Sequence, residues 1–164
     1  VAPARAKGYT QIWLVGISIG AFGALIYTEA QPQDIAGVVA LGPYLGKRSL
    51  TEEINAQGGL RRWHAPTGRL DPEDIDTQLW RWLQPPGSST PSRAAMADPR
   101  PDLFLGYGRS DRFIFSDTLL AATLPSNRVF TTDGGHDWAA WLALWRSMLD
   151  AMPLRRDASC RPSI

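Results

Sequence analysis

Cysteine is nearly absent from this 164-residue chain: Cys160, in a polar tail, is the only one. A single thiol excludes an internal disulfide, and with it a small fold held together by cross-links. A surplus of charge is also lacking. Seventeen Lys and Arg face 16 Asp and Glu, leaving a net charge of +1. Electrostatics therefore gives no reason to expect nucleic acid or an anionic membrane surface as a partner. No apolar run approaches the roughly 20 residues of a membrane-spanning helix. Histidine occurs only twice, as His64 and His136, and neither has metal-ligand spacing around it. No glycine loop is followed by Gly-Lys-Ser/Thr, so no phosphate cradle is expected, and no internal repeat is visible. The expectation is a chain without metal or cofactor. What remains is ordinary: 44% hydrophobic and 20% charged residues, a composition that can bury one core in one domain.

The informative stretch lies near the start. The apolar run Ile12-Trp13-Leu14-Val15 is followed by Gly16-Ile17-Ser18-Ile19-Gly20, then by Ala21-Phe22-Gly23-Ala24-Leu25-Ile26-Tyr27. This reads as strand, sharp turn and helix, with a serine on the turn. Such a turn strains the serine backbone, and Gly16 and Gly20 are expected to remove Cβ atoms that would clash there. Further on, Leu103-Phe104-Leu105-Gly106-Tyr107-Gly108 reads as a buried strand followed by Arg109-Ser110-Asp111. Arg128-Val129-Phe130-Thr131-Thr132 reads as the next strand and runs into Asp133-Gly134-Gly135-His136. Ser18, Asp111 and His136 thus fall past the carboxyl ends of three strands, on one sheet edge. A serine becomes a competent nucleophile when an imidazole takes its proton, and a carboxylate orients that imidazole. Asp117 and Asp133 are rival carboxylates, and His64 is the rival histidine.

On these residues the chain resembles the esterase-like branch of the α/β-hydrolase superfamily. The stretch from Gly16 to Leu25 looks like the nucleophile elbow and following helix of serine carboxylesterases. Gly134-Gly135-His136-Asp137-Trp138, with Trp141, is similar to the histidine loop of the family that includes feruloyl esterases and S-formylglutathione hydrolases. Ala21 stands where many of these esterases carry another glycine. The resemblance implies a three-layer α/β/α fold with a mostly parallel sheet, and a serine esterase with Ser18, Asp111 and His136 as its triad. It also implies the Ile19 backbone N–H as one oxyanion donor, and a small-molecule ester as substrate. A binding module of the same fold without catalysis, and a thioesterase or peptidase, are the competing expectations. Only 17 residues precede Ser18, whereas the family places several strands there. The sheet is therefore expected to lack N-terminal strands and the second oxyanion donor. Its open edge, at a strand over 11–15, is expected to be exposed or covered by another chain, as in a dimer.

The remaining organisation follows from local signals. Ile35 to Leu41 reads as a second buried strand, closed by Gly42-Pro43. Residues 44–100 are either a small cap or a long crossover. Within them, Ser49-Leu50-Thr51-Glu52 has the form of a capping box. Asp71-Pro72-Glu73-Asp74 predicts a helix start with Asp71 as N-cap, and Ile75, Leu79, Trp82 and Leu83 fall on one face. Residues 116–124 predict a helix stopped by Pro125. Trp138, Trp141, Leu142, Trp145, Met148, Leu149 and Met152 repeat at helical spacing after Asp137, and predict a C-terminal helix packed on the sheet. Residues 1–153 then form a single domain, and 154–164 a frayed tail.

Overall fold

The computed structural model describes residues 1–88 and 100–152. The expected tail at 154–164, with Cys160, lies outside the described residues, as does the stretch 89–99. Four strands form one parallel sheet: β1 (Trp13–Ile17), β2 (Gly37–Leu41), β3 (Asp102–Gly108) and β4 (Val129–Thr132). They lie side by side in chain order, β1-β2-β3-β4. The register pairs Gly16 with Ala40, Ala40 with Leu105, and Leu105 with Val129. The carboxyl ends are therefore nearly level, and the loops leaving them share one edge.

The central strands are apolar because both their faces are covered. Val38, Ala40, Leu103 and Leu105 turn towards the larger core, shared with Leu25, Ile54, Leu79 and Trp80. These come from α2 (Ile19–Ala30), α3 (Arg48–Ala56) and α4 (Ile75–Leu83), and α5 (Ile114–Ala121) adds Leu119 and Leu120. Val39, Leu41 and Phe104 turn the other way, onto Leu144 and Met148 of α6 (Trp138–Leu149). A short helix, α1 (Ala2–Ala6), precedes the sheet. The result is the expected three-layer α/β/α arrangement, with every strand pairing parallel. β1 pairs only with β2 among the described residues, and Val15 at its middle is 50% exposed. No helix among the described residues is long and apolar enough to cross a membrane.

Several local expectations are displaced. β1 begins at Trp13 and runs on to Ile17, and β2 begins at Gly37. α3 starts one residue before Ser49, with Lys47 at its N-cap, so Ser49 lies inside the helix and makes no capping box. α4 starts at Ile75, capped by Asp74, whose carboxylate accepts the Thr77 N–H. Asp71 instead accepts the Glu73 N–H and closes a turn ahead of the helix. The buried face also differs from the expected one. Ile75 is 41% exposed, whereas Trp80 is fully buried and its indole N–H donates to the Leu45 carbonyl at 2.7 Å. α5 occupies 114–121 rather than 116–124. In α6, Trp138, Leu142 and Leu149 are exposed, and the residue that the expected stripe omitted, Leu144, is buried.

Candidate active site

Ser18 is the turn between β1 and α2. Its φ of 54° and ψ of −121° make it the one non-glycine residue with positive φ among the described residues. Such a backbone costs about 1–3 kcal/mol and persists only where its surroundings hold it. Here the Ser18 N–H donates to the Leu41 carbonyl at 3.0 Å, and the Ser18 carbonyl accepts from Ala21 at 3.1 Å and from Tyr44 at 3.2 Å. Gly16 is required by close approach. A Cβ there would stand 2.5 Å from the Ala21 nitrogen and 2.6 Å from the Gly20 carbonyl oxygen. Gly20 does not share that role. A Cβ at Gly20 would meet nothing within 4 Å, because the helix has already turned away from the strand.

The Ser18 hydroxyl lies 2.9 Å from His136 Nε2. His136 Nδ1 lies 2.9 and 3.0 Å from the two oxygens of Asp111. A carboxylate only accepts, so Nδ1 carries the proton, and Nε2 is left to accept the hydroxyl of Ser18. The Asp111 side chain is fully buried and that of His136 is 11% exposed. Asp111 is fixed further by the Phe113 N–H, which donates to Oδ1 at 2.8 Å. The two rings beside the imidazole both meet it edge to face, Phe113 and Trp141 each with centroids 5.0 Å away. This clamp leaves the imidazole little freedom to swing off line.

The rivals are placed elsewhere. His64 is exposed and contacts Gln57, with Nδ1 3.3 Å from Oε1. Asp133 pairs with Arg109 at 2.6 Å with its side chain 96% exposed. Asp117 is fully buried, and neither of its carboxyl oxygens has a hydrogen-bond partner among the described residues. Burial, with a smaller contribution from the Asp111 charge, pushes its carboxyl up to about 9. Asp137 caps α6, and the N–H groups of Ala140 and Gly135 hold its carboxyl below the usual range. No group of three His, Cys, Asp or Glu side chains placed to hold a metal ion occurs among the described residues.

Gly42 is the residue that sequence reasoning missed, having been read only as the close of a strand. Its φ is +48°, and a Cβ there would lie 2.8 Å from Asp111 Oδ2, 2.9 Å from Trp141 Nε1 and 3.3 Å from His136 Nδ1. The available signal was Gly-Pro directly after a buried strand. Phe113 and Tyr44 were missed as well, since each reaches the site through space rather than through a motif. Ile19, expected as an oxyanion donor, is the first residue of α2. Its N–H belongs to the helix turn whose donors have no acceptor within the helix.

Parallel strands, a strained serine between a strand and the helix that follows it, and downstream loops meeting that serine are features of the α/β-hydrolase fold. No family model and no curated protein matches the sequence. Among solved structures, the chain is similar to a ferulic acid esterase, with TM-score 0.49 and 18% identity over 92% of this chain and 56% of that one. It is similar to a predicted CIB-like hydrolase from Thermoplasma acidophilum, with TM-score 0.47 and 15% identity over 91% of this chain and 53% of that one. It is also similar to an S-formylglutathione hydrolase from Staphylococcus aureus, with TM-score 0.46 and 18% identity over 85% of this chain and 50% of that one. The chain spans about half the length of these solved proteins.

Proposed function

We propose that this chain carries the reaction centre of a serine hydrolase that cleaves carboxylic esters through an acyl-enzyme on Ser18. The observation that carries the reading is the unbroken run of hydrogen bonds from Ser18 Oγ through His136 to Asp111, built on a serine with a strained backbone. A strained non-glycine residue with such partners is a functional feature more readily than a structural one.

The chemistry follows from the atoms in place. The Ser18 Oγ–H proton passes to His136 Nε2 as Oγ forms a bond to the ester carbonyl carbon. The carbonyl π electrons move onto oxygen, and the donor assigned to that oxyanion is the Ile19 N–H, in the first turn of α2. Asp111 holds Nδ1–H and stabilises the imidazolium. As the tetrahedral species collapses, the C–O bond to the alcohol breaks and Nε2–H protonates the departing oxygen. Water then repeats the sequence on the acyl-enzyme: it loses a proton to Nε2, and Ser18 Oγ leaves with that proton. An ester requires less of this centre than an amide, because its carbonyl is less stabilised by resonance and an alkoxide departs more readily than an amide anion.

A fluorophosphonate probe tests the reading. Ser18 should be the labelled residue, and Ser18→Ala should abolish labelling and lower ester turnover by about 10⁴-fold or more. Labelling that survives in Ser18→Ala, or ester turnover that survives with it, overturns the assignment.

A further inference from the structure

Beside the reaction centre lies an open cleft of about 330 Å³ between the start of α3 and the start of α5. Two of its walls are aromatic and belong to the centre itself. Tyr44 donates its backbone N–H to Ser18, and Phe113 meets the His136 ring edge to face. Their rings pack on each other with centroids 5.6 Å apart. The rim is cationic: Lys47, Arg48 and Arg112 all line it. Arg112 is exposed and lies over the Phe113 ring at 5.0 Å, which ties its guanidinium to one of the aromatic walls.

Three carboxylates stand near the cleft, and Asp111, bonded to the Phe113 N–H, is engaged by His136. Glu52 is bonded to Arg48 at 2.7 Å. Asp76 is buried behind the loop and accepts the Lys47 N–H at 3.0 Å. Neither Lys47 nor Arg112 has an ion-pair partner among the described residues. A cleft with two uncommitted cations and aromatic walls, two of which also touch the reaction centre, suits one chemical class better than a neutral acyl chain.

We infer that this cleft binds an anionic arm of the substrate, a carboxylate carried on an apolar or aromatic stem, so that the preferred esters are those of carboxylate-bearing acids or alcohols. The inference rests on the ester-hydrolase reading for its kinetic consequence, but the binding of the carboxylate does not depend on turnover. Field lines from the rim raise the local concentration of an anion, and salt weakens this effect.

The experiment has a kinetic arm and a binding arm. In the kinetic arm, kcat/KM is compared for 4-nitrophenyl hydrogen glutarate and 4-nitrophenyl valerate, and for 4-acetoxybenzoate and 4-tolyl acetate. The members of each pair share a skeleton and differ in one carboxylate, on the acyl side or on the leaving side. A preference of about tenfold or more for the anionic member of one pair is expected. It should shrink at high salt and be lost or reversed in Arg112→Glu and in Lys47→Glu. In the binding arm, 3-phenylpropionate and 3-phenylpropanol are titrated against the protein and both variants. The acid should bind more tightly than the alcohol, and the difference should vanish on charge reversal. Discrimination by binding without cleavage of any ester would leave the cleft assignment standing and overturn the ester-hydrolase reading. Cleavage of the esters with neither kinetic nor binding discrimination would overturn the cleft assignment alone.

Discussion

Gly42 sets how closely three side chains can approach one another. Asp111, His136 and Trp141 all converge on the space where its Cβ would stand. Gly42→Ala should therefore leave a folded protein whose imidazole and carboxylate are pushed apart. A displacement near 1 Å at such a centre costs about 10²-fold in rate, so kcat/KM should fall by that order while KM changes little. A non-glycine residue at positive φ adds roughly 1–2 kcal/mol of destabilisation, visible as a modest drop in Tm. The two elbow glycines should separate. Gly16→Ala drives a methyl into the backbone at Ala21 and should abolish folding or expression in soluble form. Gly20→Ala meets open space on a helix and should raise Tm, by up to about 1 kcal/mol of stability. Steady-state kinetics of Gly42→Ala, thermal melts of the Gly42 and Gly20 variants and the soluble yield of Gly16→Ala check these outcomes, and equal effects at 16 and 20 would contradict the elbow geometry. Ser18, Asp111 and His136 were legible because each sits in or beside a motif at a strand end, in chain order. Gly42, Phe113 and Tyr44 were not, since their roles arise where loops from different strands meet, and spacing along a chain does not encode that meeting.

The strands were legible for a different reason. A strand buried on both faces is apolar throughout, and the runs in β2 and β3 are of that kind, although β2 starts two residues later than its apolar run. Helix starts were less legible where several residues compete for one cap. Asp71 and Asp74 both offer a carboxylate, and Asp71 loses because it closes the preceding turn instead. Faces were least legible in α6, where tryptophans recur at helical spacing on the side that leaves Trp138 66% exposed. Periodicity identifies an amphipathic helix, but a wide apolar stripe contains more than one candidate seam. The seam that faces the sheet runs through Leu144 and Met148. Leu144→Ala should then destabilise by about 2–5 kcal/mol, the range for truncating a buried leucine. Trp138→Ala removes an exposed ring that touches Trp141 edge to face and should cost no more than about 1.5 kcal/mol. Urea titrations give both values. A larger loss at 138 than at 144 would place the seam where the sequence alone suggested.

For the molecule as a whole, the four strands lie in chain order even though the connection from β2 to β3 is long, as successive parallel strands most often do. What the sequence hid was the distribution of buried charge. Asp117 reads as an ordinary polar residue early in a helix, yet it is fully buried in α5 with neither carboxyl oxygen bonded among the described residues. Burial first, and the nearby Asp111 second, raise its carboxyl to about 9. In the unfolded chain the same carboxyl ionises near ~3.9. Between those two values the native state keeps a proton that the unfolded state has released. Stability must therefore fall as pH rises across that window, by up to about 1.4 kcal/mol per pH unit from this one group. Below the window both states are protonated, and above it both are ionised, so the contribution is level outside it. Asp117→Asn replaces the neutral acid with an amide of the same shape that cannot ionise, and should remove this slope. Unfolding free energies from urea titrations at pH 5, 7 and 9 measure it directly. The variant should gain on the parent with each step in pH. Parallel curves would mean that Asp117 ionises alike in both states, and that water or a partner reaches a carboxyl placed here in the dry interior.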